Sequence, residues 1–369
     1  PDGPGARLFV PVRGDPSITW FDIVDDRDPA APASPCGDAF CLECAGDPEF
    51  LRCGPKHRTG ELAYENPRGL VLPVEPVGLA VDARGQAVVA AHQTVKSASL
   101  IVNRWGGAAE RPTLQYNLEN LPEGPTGVAA VPIPALVEAA AGDIAYGAAF
   151  VVTHSFAAEL SLVRYEDDAR SRPPRPFLSR AGNVPVSLGA RSFDSRGVAA
   201  DGRERAACEA ECASDLTCLA ACLDVPVRLY LANRTPASLM IGRVVSELGV
   251  TTAGITSVSD RITLDEVVPL SFGASNVTLG DVVGPGGELE PRVFVVAFDA
   301  RLVFAYDPRT RRVDTVMRMG RGPQAIAVDA RVDPVTGAAS SVLYVAHFTD
   351  SYLGVVDLDT RRATYGTIV

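Results

Sequence analysis

The sequence predicts an all-β chain, a β-propeller of four-stranded blades with six repeats visible, and three observations predict it. A short pattern of Pro or Ser, then Gly or Ala, an aliphatic residue and Ala, often closed by Asp, recurs at 76–82, 125–131, 195–201 and 323–329, with a degenerate copy at 275–281. Each copy precedes two runs of alternating apolar and β-branched residues, the signature of half-buried antiparallel strands. The copies are unevenly spaced, 70 and 80 residues apart in the middle, where insertions are expected, but 49 apart between Pro76 and Pro125 and 48 between Ser275 and Pro323. That interval matches the ~40–50-residue period of propeller blades. Length allows the reading: 369 residues, 47% of them hydrophobic, supply ample core.

Taken in chain order, Leu8 to Val12 with Ile18 to Asp22 forms a first strand pair that lacks the preceding Gly-Ala-Asp strand. The next pairs are Val88 to His92 with Leu100 to Asn103, and Phe150 to His154 with Leu160 to Tyr165. Leu229 to Asn233 with Leu239 to Gly242, Val293 to Ala297 with Leu302 to Asp307, and Leu343 to His347 with Leu353 to Asp357 complete the set. A more polar strand follows each pair, as at Arg312 to Arg318 and Arg362 to Thr367, which makes four per unit. Small residues in the leading strand suit the crowded position where neighbouring blades meet. Six repeats leave the ring six- or seven-bladed, a geometry that manages the open edges of an all-β chain.

Residues 1–369 read as one propeller domain with two insertions, a Cys-rich loop at 25–62 and a helical hairpin at 202–225. Pro132 to Ala141 reads as a short helix in a loop. Cys208, Cys212, Cys218 and Cys222 sit in an Ala-, Leu- and Glu-rich stretch, where i, i+4 spacing puts paired sulfurs on one helix face. Ala213-Ser214-Asp215 supplies the turn and a cap. Two antiparallel helices would then join Cys208 to Cys222 and Cys212 to Cys218, with a four-thiolate zinc site as the competing reading. Cys36, Cys41, Cys44 and Cys53 are expected as two disulfides of open connectivity, weighed against zinc and an iron–sulfur cluster. Two stapled loops argue for a periplasmic, outer-membrane or cell-surface location, since cytosolic thiols stay reduced.

The pairing of Tyr344-Val-Ala-His347 with Val355-Val-Asp357, and Tyr230-Leu-Ala-Asn233, resembles the bacterial YVTN-type β-propeller repeat family. That family carries a Tyr-Val-Thr-Asn strand followed by a strand ending in Val-x-Asp. The resemblance implies the propeller fold and an extracytoplasmic, lipoprotein-like setting, and says little of activity because propellers host many. A lipid anchor upstream of Pro1 is one expectation it brings.

A net charge of −11 lacks the basic footprint needed for nucleic acid. No apolar run reaches the ~18 residues of a membrane span. His92, His154 and His347 each end the second strand of a unit, where Asn233 stands in the fourth. They form a candidate N-donor set for Zn or Cu, against the plainer role of hydrogen-bonding groups at strand ends. His57 reads as a solvated residue of the Cys-rich loop. Asp25, Asp26 and Asp28 lack the alternating spacing of a calcium loop. Trp20 and Trp105 read as packing between blades, and Gly320 to Ala325 as a turn between units rather than a dinucleotide fingerprint.

No G-x-S-x-G, H-E-x-x-H or phosphate-loop motif occurs. The leading expectation is therefore a non-enzymatic scaffold without cofactor that binds a protein or surface polymer in a bacterial envelope. The alternative is a propeller enzyme, a metal-dependent lactonase or an oxidoreductase, with a funnel site near His92, His154 and His347.

Overall fold

The computed structural model describes residues 6–24, 41–43, 46–47, 52–54, 57–103, 111–167, 175–188, 190–252 and 254–369. The chain is a six-bladed β-propeller built from antiparallel sheets in which successive strands are hydrogen-bonded neighbours. Blade 1 pairs Ala6–Pro11 with Ile18–Val24, and two short segments, Cys41–Glu43 and Arg58–Thr59, pair with the latter strand. Blade 2 is Pro76–Val81, Ala87–His92, Ser97–Val102 and Thr113–Leu118. Blade 3 is Pro125–Ala130, Ala149–His154, Glu159–Glu166 and Phe177–Pro185. Blade 4 runs Phe193–Asp201, Val227–Thr235, Ala237–Thr251 and Gly254–Pro269. Blade 5 is Ala274–Val283, Leu289–Ala297, Leu302–Asp307 and Arg312–Arg318, and blade 6 is Pro323–Val332, Ala339–His347 and Tyr352–Asp357.

Two compact units are distinguishable. One comprises Pro1–Ile133, Gly147–Phe150 and Val163–Gly182; the other comprises Pro134–Tyr146, Val151–Leu162 and Asn183–Val369. In the first, Ile18, Leu72, Val88, Ala90, Ile101 and Leu114 form a core joining blades 1 and 2. In the second, Tyr230, Leu239, Val293, Val295 and Tyr306 join blades 4 and 5, while Phe294, Val303, Leu343 and Val356 join blades 5 and 6. These are the alternating positions of each strand, as a sheet packed on both faces requires.

The small residues of the leading strands have a steric cause. A Cβ on Gly78 would lie 1.9 Å from the Thr126 carbonyl oxygen of blade 3's first strand. On Gly197 it would lie 2.7 Å from Asn276 Cα, and on Gly280 2.5 Å from Val328. First strands of consecutive blades press together there, against backbone at Gly78 and Gly197 and against the Val328 side chain at Gly280, and only Gly fits. The Asp closing the motif is a turn cap in blade 2, where Asp82 Oδ1 accepts from the N–H groups of Gln86 and Ala87, each at 2.7 Å.

Several local expectations change. Residues 362–367 do not form a fourth strand in blade 6. The carboxylate of Asp359 accepts from the Arg361 backbone N–H at 3.1 Å and Thr364 donates to Asp357, which curls the chain into turns. Only the end returns to the sheet, where Ile368 bridges Val356. The third and fourth strands of blade 4 are far longer than expected, pairing from Ser238–Pro269 out to Thr251–Gly254. His57 is buried rather than solvated: its Nδ1 lies 3.2 Å from the Trp20 carbonyl oxygen and its ring packs on the Trp20 indole. Cys36, Cys44, Trp105 and the acidic run 25–28 fall outside the described residues, as do the side chains of Cys41 and Cys53.

Candidate functional site

The three histidines end their second strands and are buried. In the first unit His92 Nε2 lies 2.8 Å from Ser99 Oγ and its Nδ1 lies 3.2 Å from the Val74 carbonyl oxygen, and Ser99 Oγ lies 2.7 Å from Asn117 Oδ1. His154 in the second unit repeats the arrangement with Ser161 at 2.9 Å and Asn183 at 3.0 Å. Each relay spans second, third and fourth strands of one blade. The His-x6-Ser spacing is the sequence signal that would have found it. Burial holds the His92 imidazole down at about 4, against opposing contacts from the Val74 and Pro73 backbone.

Elsewhere the same position is satisfied differently. In blade 4, Asn233 Oδ1 accepts from Ser195 Oγ at 3.0 Å, and its amide donates to the Pro236 carbonyl at 2.8 Å. His347 has Gly354 where the serine would stand; its Nε2 accepts from the Gly320 N–H at 3.1 Å and its ring stacks on Tyr352 at 4.2 Å. The imidazoles thus meet separate partners, Ser99 and Val74 for His92, Ser161 for His154 and Gly320 for His347. Among the described residues, no group of three or more His, Cys, Asp or Glu side chains is placed to hold a metal ion.

The insertion in blade 4 folds as α1 (Arg203–Glu211) and α2 (Leu216–Ala221), between the first and second strands. Asp215 caps α2 by accepting from the N–H groups of Thr217 and Cys218 at 2.8 and 3.3 Å. Disulfides join Cys208 to Cys222 and Cys212 to Cys218. The hairpin is pinned to its blade by Arg205, only 2% exposed. Arg205 donates to the Val225 carbonyl at 2.8 Å and to Ser246 Oγ at 3.0 Å. Ser246 in turn donates to Asp260 at 2.7 Å, and Tyr146 donates to the other carboxylate oxygen at 2.9 Å.

That anchoring presents the first turn of α1 to a cleft of about 740 Å³ between blades 4 and 5. Tyr230 and Tyr306, buried side chains whose ring centroids lie 6.4 Å apart, and Ile241 line it, with Pro226, Pro291 and Pro308 among its other apolar residues. Its ionised groups are five guanidiniums (Arg203, Arg228, Arg243, Arg309 and Arg311) and five carboxylates (Asp201, Glu204, Asp265, Glu266 and Asp281). Arg203 bridges Asp201 at 2.8 Å and Asp281 at 2.7 Å. Arg228 pairs with Glu204 and Arg243 with Asp265, each at 3.2 Å. Arg311 pairs with Glu266, and Arg309 with Glu290, which lies outside the lining. Burial works to raise the Asp201 carboxyl, but the hydrogen bonds and charge of Arg203 outweigh it and hold the group below its ordinary range. Burial foremost, then the charge of Asp201, pushes the Tyr230 phenol upward, so it stays protonated. Burial, then the charge of Glu266, does the same to Tyr306.

Sequence reasoning missed this cleft. Its residues are scattered from 201 to 311, and no local motif marks them.

Comparison with known proteins agrees on class: the fold is that of the β-propellers. No protein-family model matches the chain and no curated protein matches it, so the YVTN-type likeness remains one of strand pattern. Among solved structures it is similar to the periplasmic gluconolactonase of Pseudomonas aeruginosa, at 14% identity and a TM-score of 0.55, covering 98% of this chain and 81% of that one. A functionally unknown protein from Desulfotomaculum acetoxidans matches at 11% identity and TM-score 0.47, covering 100% and 86%. A putative 6-phosphogluconolactonase from Bacteroides fragilis matches at 12% and 0.42, covering 83% and 66%.

Proposed function

We propose that the chain is an extracytoplasmic propeller enzyme that opens a small lactone, with the cleft between blades 4 and 5 as its site. The observation that carries this reading is the cleft itself, a concave site with convergent polar groups and perturbed carboxyl and phenol acidities. The two hairpin disulfides support the compartment. The gluconolactonase likeness supports the fold and motivates the choice of reaction.

Ring opening adds water to the carbonyl carbon, breaks the ring C–O bond and yields a hydroxy acid. Asp201, kept ionised, accepts a hydrogen bond from the attacking water. A cleft guanidinium such as Arg203 stabilises negative charge gathering on the carbonyl oxygen, and protonated Tyr230 can donate to it. The test is a pH-stat assay with D-glucono-1,5-lactone near pH 6.5. Protein-dependent acid release above the spontaneous rate, falling at least tenfold in Arg203→Gln, is expected. No acceleration over buffer, or equal rates in the variant, would overturn the reading.

The scaffold reading keeps one supporting observation. Phe156, Phe272 and Phe348, 65%, 67% and 73% exposed, sit on loops that leave second strands or join blades, which lie at one end of the strands. Exposed aromatics there suit a protein partner. Capture of a defined envelope protein that Phe156→Ser/Phe348→Ser abolishes would favour it over the enzyme.

A further inference from the structure

The cleft between blades 4 and 5 is charge-balanced in a chain that carries −11 overall, five guanidiniums facing five carboxylates. From this we infer that it selects a neutral, hydroxyl-rich sugar ring over a phosphorylated or carboxylated counterpart. The inference rests on the cleft being the binding site and goes beyond it by naming the ligand's chemistry.

An anion entering the cleft finds no unpaired guanidinium. Arg203 and Arg309 are each held by two carboxylates, and Arg228, Arg243 and Arg311 each have one. A phosphate that binds a guanidinium's spare N–H groups lies beside that guanidinium's carboxylate partner, and displacing the partner strands a carboxylate next to the incoming negative charge. Desolvating that carboxylate unpaired is the larger penalty.

A sugar ring meets the opposite situation. A guanidinium has five N–H donors and a carboxylate about four acceptor positions, and one ion pair uses at most two of each. Each Arg–carboxylate pair therefore displays spare donors next to spare acceptors. Vicinal hydroxyls, which donate and accept in turn, satisfy both without breaking the pair. The faces of Pro226, Pro291 and Pro308 offer apolar surfaces for the C–H faces of the ring. A cleft of about 740 Å³ is well within the range of small-ligand sites and has room for more than one ring.

The test compares two probes that share one sugar ring and differ by a phosphoryl group, D-glucose and D-glucose 6-phosphate, by isothermal titration calorimetry or saturation-transfer NMR at low ionic strength. The wild-type chain is expected to bind glucose at least tenfold more tightly. The variant Asp265→Asn/Glu266→Gln, which removes two negative charges from partly exposed positions and leaves a surplus of guanidinium, is expected to reverse that order. Phosphate ester binding equal to or tighter than glucose in the wild type, an unchanged order in the variant, or no binding of either sugar would overturn the inference. Lactone hydrolysis lost in Arg203→Gln without a preference for the neutral sugar would sink the inference and leave the enzyme reading standing. A neutral-sugar preference without hydrolysis would do the reverse.

Discussion

Replacing Gly78 by Ala adds a single methyl group, at 1.9 Å from the carbonyl oxygen of Thr126 and 3.0 Å from its carbonyl carbon. An ordinary carbon–oxygen contact is about 3.3 Å or more, so the two first strands must separate by roughly 1.4 Å. The obstacle is backbone within a paired strand, and no side chain can swing aside. Overpacking typically costs 1–3 kcal/mol where side chains can adjust; with backbone on both sides the expected loss is at least about 3 kcal/mol, over a hundredfold in the folding equilibrium. Gly182→Ala is the internal control. A Cβ at that fourth-strand position meets nothing within 4 Å, so the change should be neutral or stabilise by about 0.5 kcal/mol. Urea titrations followed by far-UV circular dichroism read both. A Gly78→Ala midpoint equal to that of wild type or of Gly182→Ala would refute the claim that blade-to-blade backbone contact explains the leading-strand glycines.

Two further outcomes follow from buried ionisable groups. The folded-state value of His92, about 4, lies below the ordinary value of 6.5, so the unfolded chain takes up the proton first as pH falls. Its contribution is fully present above about pH 6.5 and is lost progressively toward pH 4, on the order of 3 kcal/mol in all. His92→Asn should flatten the stability difference between pH 7.5 and 5, and an unchanged slope would count against a buried neutral imidazole. Arg205→Leu leaves Asp260, 6% exposed, without its nearby positive charge and should cost roughly 3–5 kcal/mol in urea unfolding. Arg205→Leu/Asp260→Asn should recover part of that, and no recovery would mean that the two residues do not act as a pair.

Much of this molecule is legible in its sequence because blades are local. Strand alternation, the Gly-x-Ala-x-Asp opening and the turn after it concern residues within one repeat, so periodicity reveals them. The hairpin is equally local: its cysteine spacing, helix formers and the Asp215 cap lie within 15 residues, and the disulfides form between the cysteines that two antiparallel helices bring together. The strand-end histidines were visible, but not their partners. Ser99 and Asn117 reach His92 only after three strands have paired in register.

What tertiary structure alone decided is the candidate site. The cleft draws on the end of one blade's first strand, the opening turn of an inserted helix and a loop of the next blade, from Asp201 to Arg311. A charged residue on a strand reads the same in sequence whether its partner is solvent or a guanidinium on a neighbouring blade. Only packing of one sheet against the next makes that choice, because burial and pairing depend on distances that no local spacing encodes.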